Sequence, residues 1–389
     1  MKIFVPAEQR EGERRVAITP DSIAKLSKIG LELVIEQGAG AKAGYSDEAY
    51  KSQGAQIAAT SDVANNLASA DVVVSVRPLS NEHVSKVKNA GITISFLSPV
   101  FDAPTISLLA DKNITALSFD VLPRISRAQS MDALTSQALC AGYRTVLIAA
   151  ERLPKFFPML MTAAGTIPPA RVLVLGAGVA GLQAMATARR LGAVVSAYDV
   201  RASSADEVKS MGATFLDLGL DALEGAGGYA REMGEDRAKA QQDALKPFIA
   251  DSDVVITTAA VPGRKAPLLV TQDMAAAMKD GALIIDMAAE TGGNVAGSIP
   301  GEDVTIAGQD GTVTIIGCRD VASQLSTHAS RLYSQNVVSL LTLMTAEGSV
   351  IPDDADEVVA GSAIVYKGEI RNAMSREALS LPALVSEEA

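Results

Sequence analysis

Tryptophan is absent from this 389-residue chain, aromatic residues reach only 4%, and the net charge is −11. A surface that tracks nucleic acid needs basic patches and stacking rings, so this composition excludes such a partner. Cysteine is scarce: Cys140 and Cys318 are too few for a disulfide framework and fit a reducing compartment. Histidine is equally scarce. His83 and His328 lack Cys or carboxylate neighbours at ligand spacing, so no metal site is expected. His83, in the charged stretch SNEHVSKVK, is expected to be solvated, and His328 to pack on a long helix. No GxSxG element occurs, which removes the usual serine hydrolase nucleophile, and neither cysteine sits in a recognisable nucleophile motif. The longest uncharged run, Val172–Ala188, has 17 residues and three glycines, so it suits a turn better than a membrane span. The opening MKIFVPAEQREGERRVAITP is charged too early and too often to read as a signal peptide.

What is abundant is core material. Hydrophobic residues make up 48% and charged residues 20%, and the mean hydropathy is +0.22. That balance points to buried parallel sheet, whose strands are apolar on both faces. At roughly 150 residues per domain the length suggests two domains, or three. Strands are predicted at Lys2–Pro6, Leu33–Glu36, Val72–Val76, Gly91–Leu97 and Thr115–Ser118, separated by helical patterns such as Thr19–Ile29. A second series follows at Arg171–Leu175, Val194–Tyr198, Val254–Thr257, Ala282–Asp286 and Gly311–Ile316. Strands alternating with helices imply βαβ units and parallel sheets. Long helices are predicted at Asp132–Arg152 and Ala322–Met344. The fold class is therefore α/β: two doubly wound, Rossmann-like domains joined by long helices, the second inserted in the first with a cleft between them. The expected division is 1–132 with 330–389, and 133–329. Phe156–Ala170, with three prolines, reads either as a buried loop or as an exposed arm making a subunit contact.

One turn carries chemistry. RVLVLGAGVAGLQ places Gly176-Ala-Gly178-Val179-Ala180-Gly181 between a strand and a helix. Gly176 permits the tight turn, Gly178 leaves room for a pyrophosphate, and Gly181 lets the helix pack on the sheet. The helix N-terminal N–H groups then face phosphate. Asp199 ends the next strand 18 residues after Gly181, where a carboxylate accepts adenosine ribose hydroxyls and repels a 2′-phosphate. NAD is thereby favoured over NADP. Arg201 weakens that preference, because it can pair with a phosphate.

Two further segments are dense in polar groups. Pro123–Asp132 offers Arg124, Gln129 and Asp132 within nine residues. The set can fix a carboxamide and ribose hydroxyls, or it can be a solvated helix start capped by Ser130 or Asp132. Glu224–Gln242 surrounds Tyr229 with glycines and reads as a mobile flap or as an ordinary polar insertion.

Together, EGERRVAITP, EQGAGAKAGYSD, PRISRAQSMD, MTAAGTIPPARVLVLGAGVAGLQAMATARRLGAVV, AGGYAREMGE and TTAAVPGRKAPLLVT resemble the NAD(H)-binding subunit of proton-translocating nicotinamide nucleotide transhydrogenases. The likeness extends through about residue 345. It implies an Arg-Gln-Asp loop at the nicotinamide (Arg124, Gln129, Asp132), with Ser126, Ser130, Met131 and Thr135 in the same loop. Thr135 stands where a serine is more usual. It also implies a nucleotide site of Gly176, Gly178, Val179, Ala180, Gly181, Asp199, Val200 and Arg201. Gly228 and Tyr229 of the flap join them, with Gln241 and Ala260 lining the cleft.

The resemblance further implies NAD(H) on this chain and NADP(H) on a partner subunit. Direct hydride transfer would run between them, coupled to protons crossing a membrane subunit. It implies a homodimer, without a membrane span of its own, on the cytoplasmic face of a bacterial inner membrane. The related alanine dehydrogenases use a lysine near position 77 and a histidine near 97; here Arg77 and a histidine-free ISFLSPV stand there. A stand-alone amino acid dehydrogenase and a non-catalytic NAD sensor are the alternatives.

Overall fold

The computed structural model describes residues 1–100, 102–221, 234–260, 265–309 and 311–384. Two compact units divide the chain: Met1–Gln137 with Ser323–Ala389, and Ala138–Ala322. The division falls inside the helix Ala133–Arg152.

In the first unit the chain forms β1 (Lys2–Val5), β2 (Glu32–Glu36), β3 (Gln56–Ala58), β4 (Val72–Val74), β5 (Ile92–Ser95) and β6 (Thr115–Ser118). The second unit contains β7 (Leu160–Thr162), β8 (Gly165–Ile167), β9 (Arg171–Leu175), β10 (Val194–Tyr198) and β11 (Thr214–Phe215). It continues with β12 (Val254–Thr257), β13 (Ala282–Asp286), β14 (Asp303–Ala307) and β15 (Thr312–Gly317). Back in the first unit come β16 (Thr345–Ala346), β17 (Ser349–Val350), β18 (Ala363–Tyr366) and β19 (Glu369–Ile370).

The first sheet runs β19-β18-β6-β5-β4-β1-β2-β3 and the second β11-β10-β9-β12-β13-β15-β14. Strands β1–β6 pair in parallel, and β18 closes the edge antiparallel to β6. The second sheet is parallel except for β14. Both orders reverse direction beside their first strand, at β1/β4 and at β9/β12. In open α/β sheets that reversal opens a crevice at the carboxyl ends of the strands.

The strands are apolar on both sides because each sheet is covered on both sides. Ile3 and Val5 pack with Tyr50 and Tyr333, while Phe4 between them packs with Leu67 and Val84. In the second unit Val172 and Val174 face Ala184 and Met185, and Leu173 and Leu175 face Leu245 and Ile249. Burying one such side chain contributes about 1.5–3 kcal/mol. The predicted strand Val72–Val76 stops at Val74. Beyond it the main chain still bonds the neighbouring strand, Ser75 N–H to the Ile94 carbonyl and Phe96 N–H to the Val76 carbonyl, both at 3.1 Å, while the Glu8 carboxylate takes the N–H groups of Val76 and Arg77, at 2.6 and 3.2 Å.

The segment after Ala346, without a motif in sequence, supplies the antiparallel edge of the first sheet. Its hairpin turns at Lys367-Gly368, both with positive φ (49° and 87°), the pair of conformations a two-residue type I′ turn requires. Phe156–Ala170 resolves to the arm rather than the buried loop. It holds the β7–β8 hairpin, with Phe156, Met159 and Met161 exposed.

Both histidine expectations are corrected. His83 is buried, with a ring nitrogen 2.9 Å from Gln9 Nε2, because its helix Asn81–Lys86 turns that face inward. His328 is exposed: on the helix Ser326–Met344, residues 329, 330 and 333 take the core positions.

Candidate functional site

The glycine-rich turn of the second unit is built on φ/ψ demands and close approach. Gly176 sits at φ +107°, a region that side chains rarely adopt. A Cβ on Gly181 would stand 1.9 Å from the Gly176 carbonyl oxygen, so helix and turn close up only without one. Gly178 differs. A Cβ there would meet nothing within 4 Å, so its missing side chain leaves open space at the first turn of the helix Val179–Arg190. That helix presents its first N–H groups without intrahelical partners. The combination fits a dinucleotide pyrophosphate.

Asp199 follows β10 at the edge of this turn. Its Oδ2 accepts the Ala177 N–H at 2.7 Å, and its Oδ1 accepts the Arg201 N–H at 2.9 Å. The Arg201 guanidinium completes the ring, with Nε on Oδ1 at 2.8 Å and Nη2 on Oδ2 at 2.9 Å. Burial works against the charge, but the Arg201 bonds and the Ala177 N–H hold the carboxyl below its ordinary range. In sequence Arg201 reads as a candidate phosphate ligand; in the fold its partner is Asp199.

Val200 is half-buried against the core that contains Tyr198. Gln241 is buried and accepts the Tyr198 hydroxyl at 3.2 Å, directly under the same strand end. Val179 and Ala260 are exposed, and Ala180 is half-buried. The Ala180 carbonyl lies so near Gly142 that a Cβ on Gly142 would be 2.1 Å away. Gly228 and Tyr229 lie outside the described residues.

Sequence reasoning missed Thr258, which leaves β12 at the switch point. Its hydroxyl bonds the Gly176 carbonyl at 3.1 Å and lies 2.5 Å from where a Gly176 Cβ would be. Only the pairing of β9 with β12 brings it there, and TTAAVPGRKAP gives no local sign of it. Asn294 was missed too. Its Nδ2 donates to the carbonyls of Ala259 and Pro267, at 2.8 and 2.7 Å, tying together the two ends of that segment.

In the first unit, Ser126–Met131 forms a 3₁₀ helix. With three residues per turn, Ile125, Ala128 and Met131 share a column, and Ala128 and Met131 are buried. Ser126, Gln129 and Asp132 form a second column; Arg124, Arg127 and Ser130 form the third. Arg124, Ser126, Gln129 and Ser130 are exposed. Asp132 then caps the helix Ala133–Arg152. Its Oδ1 accepts the Thr135 N–H at 2.9 Å and its Oδ2 accepts the Thr135 hydroxyl at 2.6 Å. Asn336 donates to the Ser130 carbonyl at 2.9 Å, and Arg127 pairs with Asp356 at 2.6 Å. The loop is thus pinned at both ends, with Gln129 presented outward between them.

A cavity of about 290 Å³ lies at the β1/β4 switch point, lined by residues that include Glu8, Ser75, Arg77, Ser80 and His83. These groups are already hydrogen-bonded within the chain. Arg77, at the position where alanine dehydrogenases are expected to carry lysine, donates from Nε to Glu13 at 3.0 Å. Burial pushes the Glu8 carboxyl up to about 7, against the pull of the Val76 N–H. The folded state therefore holds this proton more tightly than the unfolded chain. Its contribution to stability is full below pH about 4.5 and is lost as pH rises through about 7. Melting temperatures at pH 5 and pH 8 should show this loss in the unaltered chain and its removal in Glu8→Gln. An equal pH dependence in the two proteins would contradict it. Cys318 is inert for a related reason: burial pushes its thiol up to about 12. Among the described residues no group of His, Cys, Asp and Glu can hold a metal ion, and no helix is long and apolar enough to cross a membrane.

Residues 4–141 match the family model described as alanine dehydrogenase/PNT, N-terminal domain, and residues 145–373 that of the C-terminal domain. The chain is 44% identical over 380 residues to an NAD(P) transhydrogenase subunit alpha chain of Rhodospirillum rubrum, covering 95% of this chain and 97% of that one. It is 30% identical over 304 residues to alanine dehydrogenase of Mycobacterium tuberculosis, covering 77% and 76%. The crystal structure of transhydrogenase from Sinorhizobium meliloti superposes with a TM-score of 0.83 at 37% identity, covering 96% of this chain and 99% of that one.

Proposed function

The chain belongs to the alanine dehydrogenase/PNT family, and on that premise we propose that it is the NAD(H)-binding subunit of a proton-translocating transhydrogenase, passing hydride directly between its own nicotinamide and NADP(H) on a partner subunit. The observation that carries the reading is the near full-length match, at 44% identity, to a protein named as a transhydrogenase alpha subunit. Arg77 supports it from the other side. Held by Glu13, it offers no amine for amino acid chemistry.

Bound NADH supplies the hydride; the chain supplies position and exclusion of water. Gly178 and the first turn of the helix Val179–Arg190 receive the pyrophosphate, and Asp199 receives the adenosine ribose. Arg124 and Gln129 orient the nicotinamide carboxamide. Asp132 keeps this loop in register through Thr135 and adds its remaining lone pairs at the same end. No general acid or base is required, because exchanging one nicotinamide pair for another moves no proton at carbon. That agrees with a chain whose two histidines stand away from these residues in sequence. The exposed apolar arm around Met159 and Met161 supports a homodimer contact. The remaining partners are an NADP(H)-binding and a membrane-spanning subunit, and the location is the cytoplasmic face of a bacterial inner membrane.

The test mixes the full chain with an NADP(H)-binding partner subunit and follows hydride exchange between the two nucleotides optically. Exchange supports the reading. Robust NADH formation from L-alanine by this chain alone would replace it with the dehydrogenase alternative. NADH binding without exchange would replace it with the sensor. Gln129→Asn should leave NADH affinity within about twofold and slow exchange at least about tenfold, because misplacing a reacting group by an ångström is that costly. An undiminished rate would remove Gln129 from the nicotinamide.

A further inference from the structure

Asp199 is fully engaged before any ribose reaches it. A carboxylate offers about four in-plane acceptor positions. Four donors fill them: the N–H groups of Ala177 and Arg201, and Nε and Nη2 of the Arg201 side chain, all at 2.7–2.9 Å. The two main-chain donors are fixed by the strand and turn that carry them. The other two belong to one side chain. The pair is not a solvated rim contact, since the Asp199 and Arg201 side chains are only 8% and 18% exposed. Two-pronged guanidinium–carboxylate pairs of this kind are stronger than neutral hydrogen bonds.

A ribose diol brings hydroxyl donors that need acceptor positions on this same carboxylate. Of the four donors present, only the guanidinium can withdraw without rebuilding the turn. We propose that Arg201 is an internal competitor for the adenosine ribose: it holds Asp199 in its binding orientation in the free protein and must turn away when nucleotide binds. The inference rests on the assignment of Asp199 to the ribose made above and adds a specificity-determining residue to it. Arg201 acts twice. Its attachment to Asp199 opposes NADH binding. Once released, the guanidinium is a cation two residues from the carboxylate that rejects a 2′-phosphate, and it softens that rejection. Removing it therefore moves the two nucleotides in opposite directions.

The experiment titrates NADH and NADPH, by calorimetry or nucleotide fluorescence, against the full chain and four variants: Arg201→Met, Arg201→Lys, Asp199→Asn and the double variant Asp199→Asn/Arg201→Met. Arg201→Met should bind NADH about tenfold more tightly, the scale of one charged hydrogen bond no longer broken on binding. It should bind NADPH more weakly than the unaltered chain. Arg201→Lys keeps the charge without the two-pronged fit and should fall between; if Arg201→Met does not fold, it carries the test. In the Asp199→Asn background, Arg201→Met should change NADH affinity by less than about twofold, because the coupled partner is gone. The proposal is overturned if Arg201→Met binds NADH no better than the unaltered chain, or if the same gain appears without the Asp199 charge. Asp199→Asn alone reports on the underlying assignment. If it leaves both NADH affinity and the preference over NADPH unchanged, the ribose role of Asp199 fails, whatever Arg201 does.

Discussion

Gly178→Val is expected to abolish tight NADH binding while leaving the melting temperature of the chain within about 2 °C of its original value, the scale of about 0.5–1 kcal/mol. Two observations separate the effects. The backbone of Gly178 is extended (φ −74°, ψ −176°), so any residue adopts it without strain. A Cβ there meets no atom of the protein within 4 Å. The valine side chain therefore starts into open space where the pyrophosphate is proposed to lie, and NADH affinity should fall at least about 100-fold, or some 2.7 kcal/mol. Gly181→Val is the contrasting change. Its Cβ would overlap the Gly176 carbonyl at 1.9 Å, so loss of binding should come together with loss of thermal stability. Unchanged NADH affinity in a well-folded Gly178→Val protein would remove the pyrophosphate from this turn.

Glu13→Gln is expected to destabilise the first unit by about 3–5 kcal/mol, the cost of breaking a buried ion pair from one side. Glu13 is wholly buried and Arg15 nearly so. The carboxylate accepts Arg15 Nε at 2.8 Å and Nη2 at 2.6 Å, Arg77 Nε at 3.0 Å, and the N–H groups of Arg14 and Arg15. Arg15 continues to Gln137 at 2.8 Å. Removing the negative charge leaves two guanidinium groups without it. Glu13→Gln/Arg15→Met should recover some of the loss, and urea unfolding of the single and double variants measures both effects. The pH dependence has a definite sign. Burial raises the Glu13 carboxyl, but the hydrogen bonds and charge of Arg15, with Arg77, outweigh it and hold the group well below the ordinary carboxylate range. Its stabilisation is present above that range and is lost as pH falls toward the depressed value. Acid unfolding should be less steep in Glu13→Gln. A stability loss below about 1 kcal/mol would mean that the cluster contributes as little as a surface pair.

The glycine-rich turn was legible because its causes are local. Strand, Gly176, Gly178, Gly181 and the following helix occupy one continuous stretch, and each glycine answers a need set by its neighbours. The 123–135 loop was half legible. Its polar composition marked it, but the choice between capping and ligand roles for Asp132 depended on where the carboxylate turned. It caps, through Thr135 three residues on, and Gln129 is left facing outward with Arg124, Ser126 and Ser130. The antiparallel edge made by β18 and β19 was not legible, because those strands are short and turn on a lysine in a conformation usually left to glycine or asparagine.

By itself the sequence determined the α/β class, the strand–helix alternation and the position of the glycine-rich turn, all consequences of periodicity and backbone freedom over fewer than about twenty residues. The tertiary structure alone decided which side chains satisfy which. Arg201 closes on Asp199 rather than reaching for phosphate, Glu13 binds Arg77 across 64 residues, and Thr258 meets Gly176 across 82. Charge and hydrogen-bond capacity are properties of residues, but their partners are fixed by strand order and burial. An exposed polar group can be satisfied by water, whereas a buried one must find its counterpart wherever the fold has brought it.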